Sequence, residues 1–104
     1  MNLLFLIIKE YISIVEQLRL TYPLENDRLI VEREDFKKML EIYAFASFAQ
    51  KVKLYKELNL IIYDNNNYTM PYKDKKQKKT IRKVIINYKT YEAMSELYAT
   101  VIKQ

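Results

Sequence analysis

The sequence predicts an α+β fold that forms a single domain over residues 1–104. The chain is 104 residues long and 50% hydrophobic, which is enough for one buried core and too short for two domains. Four segments repeat their apolar residues at the spacing of an amphipathic helix. Two short β-prone runs flank a cluster of asparagines of the kind that closes hairpins. Helices and a hairpin in one short chain together indicate the α+β class.

The first predicted helix runs from about Leu3 to Leu20. Its main apolar stripe recurs at helical spacing and consists of Leu4, Phe5, Ile8, Tyr11, Ile12, Val15 and Leu18. Four further apolar residues fall outside that stripe: Leu3, Leu6, Ile7 and Ile14. Because a small domain cannot easily cover a helix that is apolar nearly all round, we predict that these four contact a larger protein or a second copy of the chain. The alternative is that the remaining helices wrap closely around it.

The apolar run at the N-terminus does not have the properties of a membrane span or a targeting signal. Leu3–Ile8 contains six apolar residues, whereas a span needs roughly 20 and a secretory core roughly 7–15 after a basic start. We therefore expect a cytoplasmic protein with no membrane partner.

A short strand and a helix are predicted after Pro23, which ends the first helix because it lacks a backbone donor. Residues 25–27 form a predicted turn, and Arg28–Glu32 is a β-prone run. A helix follows from about Glu34, with Phe36, Met39, Leu40 and Tyr43 on its apolar face.

A further helix is predicted over residues 48–58. Ser47, followed three residues later by Gln50, forms a capping-box pattern that is typical of a helix start. Asn59 is placed to end the helix, because Asn tolerates the left-handed conformation in a chain that has no Gly. Two helices joined by a short turn predict a helix-turn-helix, whose second helix would present Gln50, Lys51 and Lys53 to the major groove of DNA. An ordinary pair of packed helices is the alternative.

The C-terminal half predicts a hairpin, another strand and a last helix. The hairpin strands are Leu60–Tyr63 and Tyr68–Tyr72, joined by the turn Asp64–Asn67. A basic loop, a strand and an amphipathic helix follow, over Lys73–Lys79, Thr80–Ile86 and Tyr88–Ile102. A strand before a helix-turn-helix and a hairpin after it predict a winged helix-turn-helix, here with an extra N-terminal helix and a C-terminal helix.

Positive charge is concentrated in the C-terminal half. Residues 1–50 carry six basic and eight acidic side chains, and residues 51–104 carry twelve and five, for a net charge of +5. Such asymmetry is typical of a protein that binds a polyanion, although a solvated, solubilising loop is the alternative. In a winged helix the basic loop and the second helix lie on one side, so we expect them to converge on nucleic acid. The predicted binding residues are Gln50, Lys51, Lys53, Lys56, Lys73, Lys75, Lys76, Lys78, Lys79, Arg82 and Lys83.

The composition excludes several classes of active site. The chain has no Cys, no His and no Gly. It therefore lacks thiolate zinc sites, cysteine nucleophiles, the commonest general base and the glycine-rich loops that hold phosphates. The acidic residues Glu32, Glu34 and Asp35 could hold a hard cation, but the dipole of the following helix explains them more simply. We expect no catalysis, no cofactor and no metal.

Part of the sequence resembles a known family. The stretch Val52-Lys-Leu-Tyr-Lys-Glu-Leu-Asn-Leu-Ile-Ile-Tyr-Asp64, then Tyr68-Thr69, a basic loop and Val84-Ile-Ile-Asn-Tyr-Lys-Thr-Tyr-Glu92 resembles small winged-helix domains at the ends of phage and mobile-element primase–helicase proteins. The resemblance covers about residues 28–100, and it implies a role in DNA replication of a mobile element beside a larger polymerase, primase or helicase. The chain departs from the family in its apolar first helix and in having no attached primase or helicase domain. A small protein of this shape is also similar to the partner subunits of family-A polymerase–primases in staphylococcal cassette elements.

Three functions remain open from the sequence. The first is a nucleic-acid-binding accessory protein, acting on single- or double-stranded DNA. The second is a protein-interaction module, either an inhibitor or a scaffold subunit, and the third is a transcriptional regulator. Tyr63, Tyr68 and Tyr72 could stack on single-stranded bases, although packing of their rings in the core is the simpler interpretation.

Overall fold

The structure, a computed structural model, describes residues 2–65, 67–74, 76 and 78–102. Within those ranges the chain forms four helices and one five-stranded antiparallel sheet, which confirms the α+β class. The elements in chain order are α1 (Leu3–Leu18), β1 (Leu24–Glu25), β2 (Arg28–Val31), α2 (Arg33–Glu41), α3 (Phe48–Glu57), β3 (Ile61–Ile62), β4 (Met70–Asp74), β5 (Lys79–Asn87) and α4 (Tyr88–Ile102).

The sheet is organised around β5. Residues 79–83 of this strand pair with β4, whereas residues 84–87 pair with β2 and residues 85–86 with β3. β1 joins β2 through a tight turn at Asn26 and Asp27, which have φ of 49° and 61°. Asn and Asp are the residues that tolerate this left-handed region best after Gly, so they form the turn in a chain without Gly. β1, a strand of only two residues, was not predicted from the sequence.

The core lies between one face of the sheet and helices α1 to α3. Buried apolar residues at alternate positions of β2 and β5 supply the sheet side: Leu29, Val31, Val84 and Ile86. Three buried aromatic rings belong to the same core cluster and pack edge to face with one another. The centroid separations are 5.7 Å for Phe36–Tyr55 and 6.0 Å for Tyr11–Tyr55. The aromatic contacts tie α1, α2 and α3 together.

The last helix covers much of α1. The ring of Tyr91 lies 6.3 Å from that of Tyr11, and the ring of Tyr98 lies 5.6 Å from that of Phe5. The two helices therefore run antiparallel, with the start of α1 beside the end of α4. Among the described residues, no helix has both the length and the hydrophobicity needed to cross a membrane.

Two of the residues predicted to contact a partner are buried instead. Ile7 and Ile14 are 0% and 3% exposed within the core, so the prediction for them was wrong. The physical reason is that the sheet and the other helices surround α1 closely enough to cover positions outside its main stripe. Leu6 is half-buried and Leu3 is exposed, so these two remain accessible to a partner.

The local signals for helix ends are confirmed. The hydroxyl of Ser47 accepts a hydrogen bond from the backbone N–H of Gln50 at 3.2 Å, and the Gln50 side-chain oxygen accepts one from the Ser47 N–H at 3.1 Å. Asn59 follows α3 with φ of 57°. The last helix spans the predicted residues 88–102.

The predicted pairing of the hairpin was wrong. The sequence predicts that the strands before and after Asp64–Asn67 pair with each other, but β3 and β4 each pair with β5. Asp64 and Asn67 do form a tight turn through two backbone hydrogen bonds of 2.9 and 3.1 Å. The nine-residue β5 is long enough to pair with two short strands in succession. The long hairpin is therefore β4–β5, and Lys73 and Lys79 belong to its strands rather than to the loop.

Candidate nucleic-acid interface

The β4–β5 hairpin extends beyond the rest of the sheet. Among the described strands, β4 alone pairs with residues 79–83 of β5, because the pairing with β2 and β3 begins at residue 84. The molecule measures 50 × 26 × 23 Å, and this elongation accords with a projecting arm. An arm of this kind presents its backbone and side chains to solvent on more than one side.

The tip of the hairpin carries most of its exposed positive charge. Its exposed basic residues are Lys73, Lys76, Lys78 and Lys79. Asp74 shapes the turn, because its carboxylate accepts the Lys76 N–H at 2.9 Å and its carbonyl accepts the Lys78 N–H at 2.9 Å. Lys78 closes the turn with φ of 53°, a position that Gly usually fills. Lys75, a further predicted binding residue, lies outside the described residues.

Arg82, at the base of the hairpin, forms structural contacts. Its Nε donates to the Thr69 hydroxyl at 2.8 Å, and its Nη2 donates to the Thr69 carbonyl at 2.7 Å. The same Nη2 lies 3.4 Å from a carboxylate oxygen of Asp64. Arg82 thus holds the segment from Asp64 to Thr69 against the hairpin, and it adds positive potential there while its donors are engaged.

Lys83 is also engaged at the base. Its ammonium donates to Glu32 at 2.8 Å and lies 5.1 Å from the centroid of the Tyr72 ring. The hydrogen bond to Glu32 raises the pKa of Lys83 above its ordinary value, so the side chain stays charged. A phosphate would have to compete with Glu32 for this cation.

Lys51 was wrongly predicted to contact nucleic acid, because it is 0% exposed. Its ammonium donates to Glu10 at 2.6 Å, to the Leu40 carbonyl at 2.6 Å and to the Tyr43 carbonyl. It also lies 4.2 Å from the centroid of the Phe45 ring. These contacts hold the end of α2 and the following turn against α1 and α3. Lys51 is therefore part of the core.

A sequence signal for this burial exists. Lys51 follows Phe48 by three residues and precedes Tyr55 by four, so it falls on the inward stripe of α3. Glu10 likewise falls between Ile7 and Tyr11 on the inward face of α1. Two opposite charges at core positions of two helices indicate a buried ion pair rather than two surface groups.

The remaining predicted residues of α3 offer little to a DNA groove. Gln50 is exposed, but its side-chain oxygen accepts from both the N–H and the hydroxyl of Ser47. Lys53 is exposed and Lys56 is half-buried. The exposed side chains of the helix are Ala49, Gln50, Lys53 and Glu57. This set contains one cation and one carboxylate.

Contacts link α3 to the base of the hairpin. Phe48, the first residue of α3, packs edge-on against Tyr68 at 5.5 Å, and the Lys56 ammonium lies 5.9 Å from the centroid of Tyr63. The residue after Tyr63 is Asp64, which contacts Arg82. Lys56 on α3 and Arg82 on the hairpin are thus linked through Tyr63 and the carboxylate of Asp64.

The three tyrosines singled out by the sequence differ in their surroundings. Tyr68 packs between Phe36 at 6.2 Å and Phe48 at 5.5 Å and belongs to the edge of the core. Tyr72 is half-buried beneath Lys83. Tyr63 is 41% exposed, which leaves part of its ring accessible.

The acidic residues considered as a cation site have other contacts. Asp35 accepts a hydrogen bond from the Tyr22 hydroxyl at 2.5 Å, and Glu32 accepts from Lys83. Within the described ranges, no group of three or more acidic side chains is arranged to hold a metal ion.

Comparison with known proteins adds no family. No protein-family model matches the chain, and no match was found among curated proteins. The function is therefore inferred from the arrangement of these residues.

Proposed function

We propose that the protein binds nucleic acid through the β4–β5 hairpin, as an accessory protein that acts with a larger enzyme in DNA replication of a mobile element. The observation that carries this proposal is the hairpin tip, where Lys73, Lys76, Lys78 and Lys79 are all exposed. The nearest carboxylate, Asp74, accepts a backbone hydrogen bond within the turn. Clustered lysines on a projecting arm are suited to contacts with phosphates.

We propose a winged-helix arrangement for this domain. The order of elements supports it, because β2 precedes α2 and α3, and a long hairpin follows them. In this arrangement the hairpin is the wing and α3 is the second helix of the helix-turn-helix. The replication role rests on the resemblance to winged-helix domains of primase–helicase proteins.

A salt titration tests the nucleic-acid proposal. Binding of fluorescently labelled oligonucleotides, single-stranded and duplex, would be measured by anisotropy at several salt concentrations. Four phosphate contacts predict a slope of log K against log[salt] of about −3 for a single strand and about −4 for a duplex. A slope near zero would contradict the proposal.

Charge reversal locates the contact. The variant Lys76→Glu, Lys78→Glu, Lys79→Glu should weaken binding to all sequences by at least roughly 100-fold. Losing three charge pairs of about 1 kcal/mol each accounts for that factor, and repulsion between the new carboxylates and the phosphates adds to it. The matched control reverses three exposed lysines outside the hairpin: Lys9→Glu, Lys37→Glu and Lys38→Glu. Equal losses in both variants would mean that net charge matters and the hairpin does not.

A second candidate function is protein interaction at the end of the molecule where α1 begins and α4 ends. Four apolar side chains are exposed on these two helices: Leu3, Leu4, Leu97 and Val101. Exposed apolar groups of this kind are typical of interfaces. Sedimentation velocity over a range of concentrations would detect a dimer, and Leu4→Glu with Val101→Glu should abolish it. A monomer at every concentration would exclude self-association by this surface.

A sequence-specific transcriptional regulator has less support. Such a protein needs side chains on α3 that reach base edges. Lys51 is buried and the side-chain oxygen of Gln50 is used in the helix cap, so two of the three predicted reading residues are engaged elsewhere.

A further inference from the structure

We infer that the nucleic acid held by this hairpin is single-stranded and that one of its bases stacks on the exposed ring of Tyr63. This inference rests on the proposed function, because it specifies which form of nucleic acid binds to the same surface. Its central observation is an aromatic ring that is 41% exposed on a residue whose neighbour in sequence, Asp64, contacts Arg82 of the hairpin.

The exposed face of α3 has few groups that could read duplex DNA. A protein that reads duplex DNA with a helix needs several donors and acceptors aimed into the groove. The exposed residues of α3 are one Ala, one Gln that caps its own helix, one Lys and one Glu. Glu57 would repel phosphates, so the helix is poorly suited to enter a groove.

Tyr63 is held near α3. It follows β3 directly, and the ammonium of Lys56 lies 5.9 Å from its ring centroid. The next residue, Asp64, contacts Arg82 at the base of the hairpin. Tyr63 is therefore one residue away from the segment that contacts the base of the hairpin, and we expect a strand bound by the hairpin to reach its ring.

Single-stranded and duplex nucleic acids differ in the access they give to the faces of their bases. In a duplex the faces of the bases are stacked on one another, so an exposed tyrosine ring has no base to contact. In a single strand each base offers a π-face, and stacking on aromatic side chains combined with a basic groove is the usual mode of binding. A partly exposed ring with an ammonium group 5.9 Å from its centroid matches the second form.

The competing explanation is that Tyr63 is simply a surface residue. Tyr43 provides a comparison within the same chain, because it is 51% exposed and lies beside α1, at a pocket lined with Leu6 and Phe45. If exposed tyrosines in general improve binding, substitution of either residue will lower the affinity for single strands. If the position of Tyr63 near Lys56 is required, only substitution of Tyr63 will lower it.

The experiment compares Tyr63→Ala, Tyr63→Phe and the control Tyr43→Ala. Affinities would be measured for oligo(dT), oligo(rU) and a DNA duplex at low salt, the first two showing whether the strand is DNA or RNA. Tyr63→Ala should weaken single-strand binding by roughly 5- to 100-fold, the range found when a stacking ring is replaced by alanine. The affinities of Tyr63→Phe and Tyr43→Ala for single strands should remain within about twofold of that of the unsubstituted protein, because both variants keep an aromatic ring at position 63.

A second measurement separates stacking from charge. Tyr63 is neutral, so Tyr63→Ala should leave the slope of log K against log[salt] unchanged, whereas Lys76→Gln, at the exposed tip, should make it shallower by about 0.7. Far-UV circular dichroism and thermal melting would show that Tyr63→Ala is folded. A changed slope in Tyr63→Ala would mean that the ring acts by positioning Lys56, and it would overturn the stacking inference.

The remaining outcomes distinguish the inference from the proposed function. If the unsubstituted protein binds neither single strands nor duplex at low salt, the proposed function fails and the inference fails with it. If duplex binds as tightly as single strands, or if Tyr63→Ala and Tyr43→Ala have equal affinities for single strands, the inference is overturned and binding by the hairpin stands.

Discussion

The substitution Lys51→Met should destabilise the fold severely, although lysine is among the residues most often found at protein surfaces. The Lys51 ammonium donates to Glu10 and to the carbonyls of Leu40 and Tyr43. Methionine fills similar volume but donates nothing. Among the described residues, the Glu10 carboxylate, 2% exposed, would keep only the hydroxyl of Tyr55 as a donor, at 2.9 Å.

The size of the effect follows from this burial. Removing one partner of a buried ion pair costs about 3–5 kcal/mol, because the other charge is left without compensation. A domain of this length has a free energy of unfolding of about 5–15 kcal/mol, so the loss is a large fraction of the total. A loss of about 3 kcal/mol corresponds to a melting temperature lower by roughly 12 °C or more.

Urea denaturation followed by circular dichroism would measure this loss. With a slope of about 1–3 kcal/mol/M, the midpoint should fall by roughly 1 M or more. The matched control is Lys53→Met, an exposed lysine on the same helix, which should change stability by less than about 0.5 kcal/mol. The double variant Lys51→Met, Glu10→Gln should recover part of the loss, because the stranded charge is gone. Equal stability of Lys51→Met and Lys53→Met would refute the reasoning.

Three further predictions concern stability. Burial raises the pKa of Glu10 above its ordinary value of 4.5, although hydrogen bonds from Lys51 and Tyr55 act in the opposite direction. The free energy of unfolding of the unsubstituted protein, relative to that of Glu10→Gln, should therefore be greatest below pH 4.5 and should fall as pH rises through the raised pKa. Urea midpoints of both proteins over a pH series would measure this difference, and a difference that does not change with pH would mean that the carboxyl is exposed. Asn59→Ala should cost about 1–2 kcal/mol because φ is positive there, while Asn59→Gly should not, and equal melting temperatures for the two would contradict a left-handed conformation. Tyr22→Phe should cost about 1 kcal/mol by removing the hydroxyl that joins Asp35 to the Glu32 N–H, and Asp35→Asn, which retains an acceptor, should cost less in the same melting assay.

Non-local pairings were the part of the fold that sequence patterns predicted least well. The strand signals around Asp64–Asn67 were correct, yet their partner was β5 rather than each other. A strand's alternation of side chains indicates that it will pair, but it does not specify with which strand. Local turn chemistry at Asp64–Asn67 was compatible with both arrangements, and the length of β5 decided between them.

The candidate site shows the same division between sequence and structure. The many lysines between residues 73 and 79 predicted an exposed basic segment, because so many charges in a short stretch cannot all be buried. The charge pattern could not separate Lys51 from Lys53, although they lie two residues apart on one helix. Their difference depends on Glu10, which is 41 residues away in sequence from Lys51 and becomes its neighbour only after α1 packs on α3.

The amino-acid sequence by itself determined the four helices, the cap at Ser47, the left-handed stop at Asn59 and the concentration of positive charge after residue 50, because each of these depends on residues within a few positions of one another. The tertiary structure decided which strands pair with β5, whether Glu10 and Lys51 meet across two helices, and which tyrosine rings stay exposed. The reason is that burial and strand pairing are properties of surfaces brought together from distant parts of the chain, and no local pattern contains the shape of the partner surface.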